Sequence, residues 1–394
     1  MKEYNLELLF EKYQTPLYVF DIDQLKDRVH YLRSSLPKRV ELCYAMKANP
    51  FLVKELENVV DKLEVCSPGE YYICENQQIA VDKLVISGVY KTPSAIEDML
   101  ENGTRVFTIE SMSQFDLLAN LALKFQVQLK LLLRLTSGNQ FGMSKEEIQE
   151  IVHKQAQYPL LDIYGIQYFS GTQKTSIKKL KKECDLLDEL LVSLKQKEDF
   201  EVKELEFGPG FPVLYFEEGK KIDEDAFLME FSDVLNDMTY QGSITLELGR
   251  SIAAGCGQYM TSVVDMKTNQ NGNYAILDGG MHHMAYYGQM MAMKHPYHDV
   301  YPKREEKDSQ IWNLCGSLCT VNDLIVKQLP VTDLKIGDVF IFKNTGAYSM
   351  TEGISLFLSR DLPSVLFYKN GTYEQAREPI PTFPLNCQFN ERRR

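Results

Sequence analysis

Eight short β-rich runs alternate with stretches of helical period, and this alternation constrains the fold of the 394-residue chain more than any other feature. The runs occupy residues 41–47, 62–67, 83–88, 105–110, 128–135, 161–169, 202–208 and 243–249. Amphipathic segments lie between them, among them 94–103, 113–125, 145–157 and 184–197. Strands alternating with helices imply βαβ units and parallel pairing. Eight such units in about 250 residues have the count and length of a (β/α)8 barrel. From residue 254 the pattern changes to QYMTSVVDMK, YAILDGG, DVFIFKNTG and SVLFYKNG, separated by turn signals at 269–272 and 369–371. Those runs predict a C-terminal antiparallel β domain, so the fold class is α/β. The expected boundaries are 20–253 for the barrel and 254–394 for the β domain, with 1–19 packing on the latter.

Composition narrows the function. With 44% hydrophobic and 25% charged residues the chain is a folded globular protein. A net charge of −12 argues against nucleic acid or an anionic membrane as partner. No apolar run reaches the roughly 20 residues that span a bilayer, and the charged N-terminus lacks a signal-peptide core. A soluble, cytoplasmic protein is expected. The eight cysteines are scattered without a CxxC, and the six histidines form no HExxH or HxH. Most cysteines therefore read as small buried hydrophobes, and no metal site is expected.

In a (β/α)8 barrel, reactive groups gather at the C-terminal strand ends. The first strand ends in Tyr44-Ala45-Met46-Lys47-Ala48-Asn49-Pro50 and the second runs into Ser67-Pro68-Gly69-Glu70. The fifth carries Arg134, and the sixth runs into Ser170-Gly171-Thr172-Gln173. The seventh ends in Gly208-Pro209-Gly210 and the eighth in Glu247-Leu248-Gly249-Arg250. A lysine leaving a buried strand is expected to have a lowered pKa and a nucleophilic amine, as a Schiff-base lysine requires. Taken alone, such a lysine is more often a surface residue at a strand end. Glycine turns at three consecutive strand ends, with an arginine in the third, form a cradle for a phosphate. A phosphorylated aldehyde fits both halves, and pyridoxal 5′-phosphate is that kind of cofactor.

The motifs CYAMKANP (43–50), GTQ (171–173), GPG (208–210), ELGR (247–250), CGSLCTVND (315–323) and GAYSM (346–350) resemble the signature set of the fold-type III pyridoxal-phosphate decarboxylases. That family includes diaminopimelate, ornithine and arginine decarboxylases, and its fold is an alanine-racemase-like barrel plus β domain. The resemblance covers nearly the whole chain in motif order. It implies that Lys47 bonds the cofactor aldehyde, that Gly171, Thr172, Gly208, Gly210, Gly249 and Arg250 hold the phosphate, and that Glu247 faces the pyridine nitrogen. A carboxylate there keeps the ring protonated as an electron sink, whereas racemases of this fold use an arginine. The resemblance further implies that Cys319 is the catalytic cysteine, delivered across a homodimer interface so that the active sites are shared. Tyr348 would contact the cofactor, as would Ser67 and Arg134, and Thr320, Asp323 and Tyr286 fall at substrate-binding positions.

The sequence also departs from the family. A ring-stacking histidine is usual after strand six, where this chain has Phe169; an aromatic ring stacks but donates no hydrogen bond. Pro209 removes one backbone donor from the glycine triplet. After Asp278-Gly279-Gly280 no arginine follows to grip a distal carboxylate, and Thr320 replaces the acidic residue usual after the cysteine. These changes favour a modified substrate over free diaminopimelate or ornithine. A butirosin-pathway relative decarboxylates an amino acid held on an acyl carrier protein, which makes antibiotic biosynthesis and a tethered substrate one alternative. The lysine-rich run 174–182 past strand six suits an acidic carrier, although such runs are commonly solvated helix faces. A racemase and a non-catalytic regulatory homologue are the alternatives of other classes; Glu247 and Cys319 argue against the first, and retention of Lys47 and Cys319 against the second.

Overall fold

The computed structural model describes residues 5–286, 292–304 and 308–388. The elements run in the order α1 (Leu6–Lys12), β1 (Leu17–Asp21), α2 (Ile22–Ser34), β2 (Val40–Ala45), α3 (Val53–Leu56), β3 (Lys62–Val65), α4 (Pro68–Asn76), β4 (Leu84–Ile86), α5 (Pro93–Glu101), β5 (Val106–Ile109) and α6 (Met112–Phe125). There follow β6 (Leu129–Leu135), α7 (Lys145–His153), β7 (Leu161–Phe169), α8 (Ile177–Glu198), β8 (Glu204–Gly208), α9 (Glu224–Asn236), β9 (Ser243–Leu248) and α10 (Arg250–Ala253). The chain then continues as β10 (Gly257–Asn269), β11 (Gly272–Leu277), β12 (His298–Tyr301), β13 (Ser309–Cys315), β14 (Leu324–Thr332), β15 (Val339–Lys343), β16 (Ser364–Lys369) and β17 (Thr372–Arg377). It divides into two compact units, one of residues 26–213 and 222–252, the other of the described parts of 1–25, 214–221 and 253–394.

The first unit is a closed barrel of β2 to β9 in sequence order, every neighbour parallel, with β2 against β9 completing the ring. Its helices begin where the sequence supplies caps. Ser111 accepts from Gln114 N and starts α6, which buries Phe115, Leu118, Leu121 and Ala122 on one stripe. Burying each Leu or Phe contributes about 1.5–3 kcal/mol. A full capping box, Ser144 with Glu147, starts α7. Barrel interiors of this kind are ordinarily packed with branched apolar side chains. Here the buried residues toward the C-terminal strand ends include Glu64, Glu110, Arg134, Gln167, Glu206 and Glu247. Buried charge at such density is expensive unless paired, and it gathers at functional sites.

The second unit is a nine-stranded sheet with the path β14-β13-β11-β10-β1-β16-β17, to which β15 and β12 add through β10. The antiparallel expectation holds for most pairs but not all. β1 runs parallel to β16 and β11 parallel to β13. Neither pair is joined by a hairpin, so no tight turn forces antiparallel pairing. β1, buried at every position, straddles the expected boundary at residue 19 and belongs wholly to this unit. Its Leu17 and Val19 join Leu9, Met260, Ile341 and Leu366 in the core.

Candidate active site

Lys47 occupies the single helical turn Met46–Ala48 that leaves β2. Its Nζ lies 2.8 Å from Glu64 Oε2, 3.3 Å from Glu247 Oε1 and 3.6 Å from Cys66 Sγ. The two carboxylate side chains are only 2% and 4% exposed, so the low dielectric strengthens every term among them. Burial by itself would depress the lysine, but Glu64 and Glu247 overcome it and hold the amine well above its usual range. The expectation of a lowered pKa is thus reversed. Burial, then repulsion from Glu64, pushes Glu247 up to about 7 against the pull of Lys47. Burial, the largest single effect, pushes Glu64 upward, but Lys47 together with hydrogen bonding to Glu247 and Cys66 outweighs it and holds this carboxyl below the usual range. Gln167 on β7 donates from Nε2 to Glu247 Oε2 at 2.8 Å.

The turns after β7 and β8 are laced together. Lys174 N donates to Gly210 O at 2.9 Å, Gln173 Nε2 to Val213 O at 2.9 Å, and Val213 N to Gln173 Oε1 at 2.6 Å. Gly210 has φ +63, and a Cβ there would collide with Gly171 O, so only glycine lets these turns approach. A Cβ on Gly208 would stand 2.4 Å from Phe169 Cδ2, which places the phenyl ring against the second turn. Gly249 lies beside Ala45 and Ala48 of the Lys47 turn, and the buried Arg250 opens α10. Thr172 joins the same cluster, its Cα 2.9 Å from where a Gly210 Cβ would be.

Arg134 on β6 is buried and pairs through Nη1 with Glu110 Oε1 at 3.0 Å. Its guanidinium also lies over the Phe141 ring at 4.7 Å. Ser67 is committed locally: its Oγ caps α4 by accepting from Glu70 N, while Glu70 Oε2 accepts from Cys66 N.

The remaining sequence-selected residues lie in the β unit. Cys319 is exposed, and Thr320 beside it is partly exposed. Asp323 is buried and works on the backbone, accepting from Met281 N and Leu318 N at 2.8 Å each. It thereby shapes the loop that presents Cys319. Tyr286 is buried, donates its hydroxyl to Lys343 O at 2.7 Å and packs against Tyr215 and Phe216. Tyr348 has φ +65, and its carbonyl accepts from Thr351 N and Glu352 N. His282 and His283 are also buried; burial first, then the neighbouring His283 and Arg360, lowers His282 to about 3, and burial lowers His283 to about 4. Both are neutral at pH 7. Among the described residues, no three His, Cys, Asp or Glu side chains group to hold a metal ion, and no helix is long and apolar enough to cross a membrane.

Sequence reasoning missed Glu64, Glu110, Gln167 and Glu206. The available signal was an acidic or amide residue inside an otherwise apolar strand, as in KLEVC (62–66), GIQYF (165–169) and ELEFG (204–208), or directly after one, as in VFTIE (106–110).

Comparison with known proteins converges on one family. The family described as pyridoxal-dependent decarboxylase, pyridoxal binding domain, matches residues 22–254. The diaminopimelate decarboxylase of Aquifex aeolicus is 26% identical, over 95% of this chain and 91% of the relative. The L-glutamyl-[BtrI acyl-carrier protein] decarboxylase of Niallia circulans is 24% identical, over 95% and 93%. In fold, the chain is similar to diaminopimelate decarboxylase from Helicobacter pylori solved with L-lysine, with TM-score 0.85, 22% identity, and 97% and 98% of the two chains covered.

Proposed function

This chain belongs to the pyridoxal-dependent decarboxylases, and from that premise we propose that it removes the α-carboxylate of an amino-acid derivative with Lys47 as the cofactor's attachment point. The observation that carries the assignment is the Lys47 amine held at 2.8 and 3.3 Å from two buried carboxylates at the barrel's C-terminal end. The residues fit the cofactor. Glu247, buried and lifted to about 7, is a carboxylate short of positive charge, which a pyridine N–H supplies. The laced Gly171–Lys174 and Gly208–Val213 turns, with Gly249 and Arg250 on the next strand, suit a phosphate. When bound, pyridoxal phosphate supplies the sink for the electron pair left as CO₂ departs. Glu247 would hold the proton on the ring nitrogen, Phe169 would offer an aromatic face to the ring, and Arg134 with its partner Glu110 would border the site. Cys319 returns a proton to the α-carbon. A CO₂-release screen on the purified, cofactor-loaded protein tests this; no release from any amino acid or derivative would defeat it.

The substrate's distal end is uncharged in this reading. His282 and His283 stand in the segment after Asp278-Gly279-Gly280, both neutral, and no arginine or lysine occurs from 281 to 293. Thr320 supplies no carboxylate for a distal amine. An amide or thioester suits such a site better than a free carboxylate or ammonium, and the relative named for a carrier-bound glutamyl substrate is consistent with it. In the screen, pantetheine thioesters and amides of amino acids should therefore be turned over faster than the free acids.

The working unit is a homodimer that shares its sites. Supporting this, the β unit exposes the large apolar side chains Ile354, Leu356, Phe357, Ile380, Phe383 and Leu385, and exposed apolar surface is where a partner docks. Arg360 Nη2 donates to Ser317 O and so ties this face to the Cys319 loop. Mixing inactive Lys47→Ala with inactive Cys319→Ala should restore about a quarter of wild-type activity under random exchange. Exchange without recovery would place Cys319 in its own subunit's site or outside catalysis.

A further inference from the structure

One buried acid has no place in that scheme. Glu206 on β8 is fully buried, and neither carboxyl oxygen has a hydrogen-bond partner. A bare carboxylate so placed costs several kcal/mol. Its register partner on the neighbouring strand is Gln167, whose Oε1 is likewise buried and without a partner. Two acceptors lying side by side repel; one proton between them satisfies both. Gln167 uses its other end, Nε2, to donate to Glu247.

We propose that Glu206 carries a proton in the native protein and donates it to Gln167 Oε1, fixing the amide so that its N–H faces Glu247 and holds that carboxylate ionised. Glu206 is then a positioning residue, acting through Gln167. The amide could otherwise turn end for end and accept a proton from Glu247, which would neutralise the group that faces the ring nitrogen. The surroundings favour the protonated acid. Burial is the main effect, and Glu247 on β9, Glu204 on its own strand and Glu64 on β3 add negative charge, opposed by Lys62 on β3. Cys43 of β2 also faces it, its own thiol pushed up by burial and then by Glu206. This role for Glu247 rests on the proposed function; the protonation of Glu206 does not.

The test therefore has two arms. Isotope-edited infrared difference spectra of the cofactor-free protein at pH 7, wild type minus Glu206→Gln, should show one protonated-carboxyl band. Absence of that band overturns the proposal whatever the enzyme does. In the loaded enzyme, Glu206→Leu should lower kcat about ten-fold and raise the acid limb of the pH profile by about one unit, the equivalent of one hydrogen bond to a charged group. Glu206→Gln, which still offers an N–H to Gln167, should restore both to within about three-fold of wild type. Equal damage from Gln and Leu would mean that the negative charge of Glu206, not its proton, is what matters.

Discussion

Replacing Gly208 with alanine should damage the site through one contact, the Phe169 ring. The added methyl would sit 2.4 Å from Phe169 Cδ2, 3.2 Å from Cγ and 3.3 Å from Cβ. Carbon atoms in contact prefer about 3.5–4.0 Å, so the ring must retreat by about 1 Å or more. Gly208 closes β8, and the backbone of a strand held on both sides by parallel neighbours does not shift cheaply. Overpacking of this kind costs about 1–3 kcal/mol. Urea denaturation of the cofactor-free protein should register that loss, and fluorescence titration should show pyridoxal phosphate binding weakened about ten-fold. In a Phe169→Ala background the methyl enters space already vacated, so the same substitution should cost under about 0.5 kcal/mol, a coupling of at least about 0.5 kcal/mol. Equal costs in both backgrounds would refute the contact and with it the placement of Phe169 at the phosphate turns.

Two further outcomes follow from the charges around Lys47. Glu247→Gln should keep the cofactor but lower kcat ten- to a hundred-fold or more, because a charge-assisted hydrogen bond of about 1.5–3 kcal/mol is lost from the ring nitrogen; an unchanged kcat would leave Glu247 a purely structural role. Glu64 and Glu247 hold the Lys47 amine protonated well above its usual range, and only the neutral amine attacks an aldehyde. Cofactor attachment, followed by stopped-flow absorbance, should therefore accelerate about ten-fold per pH unit across pH 7–9, and Glu64→Gln should accelerate it at pH 7. A rate that is flat with pH would contradict the ion-pair description.

The barrel was legible because its strands are compact, mainly apolar runs and six of the eight end in chemistry that a plain strand does not need. Lys47, Glu247 and the glycine turns all lie at those ends. What stayed hidden was relational. Glu64 is one acid within a strand, and nothing local reveals that closing β2 against β9 brings Glu247 to the same amine. The same closure reverses the expected shift of Lys47, since burial was foreseeable and two acidic neighbours were not. The parallel entry of β1 beside β16 is equally non-local, as the two are separated by most of the chain. The resemblance put Asp323 at a substrate-binding position, yet its two backbone hydrogen bonds show it organising the loop.

The central claim is that Lys47 is the residue to which pyridoxal phosphate attaches. Borohydride reduction of the loaded protein, followed by proteolysis and mass mapping, reads this directly. The account requires the reduced pyridoxyl group on the peptide containing Lys47 and no labelling in Lys47→Ala. Label on another lysine, such as Lys91 or Lys174, or a wild-type protein that takes none, would contradict it.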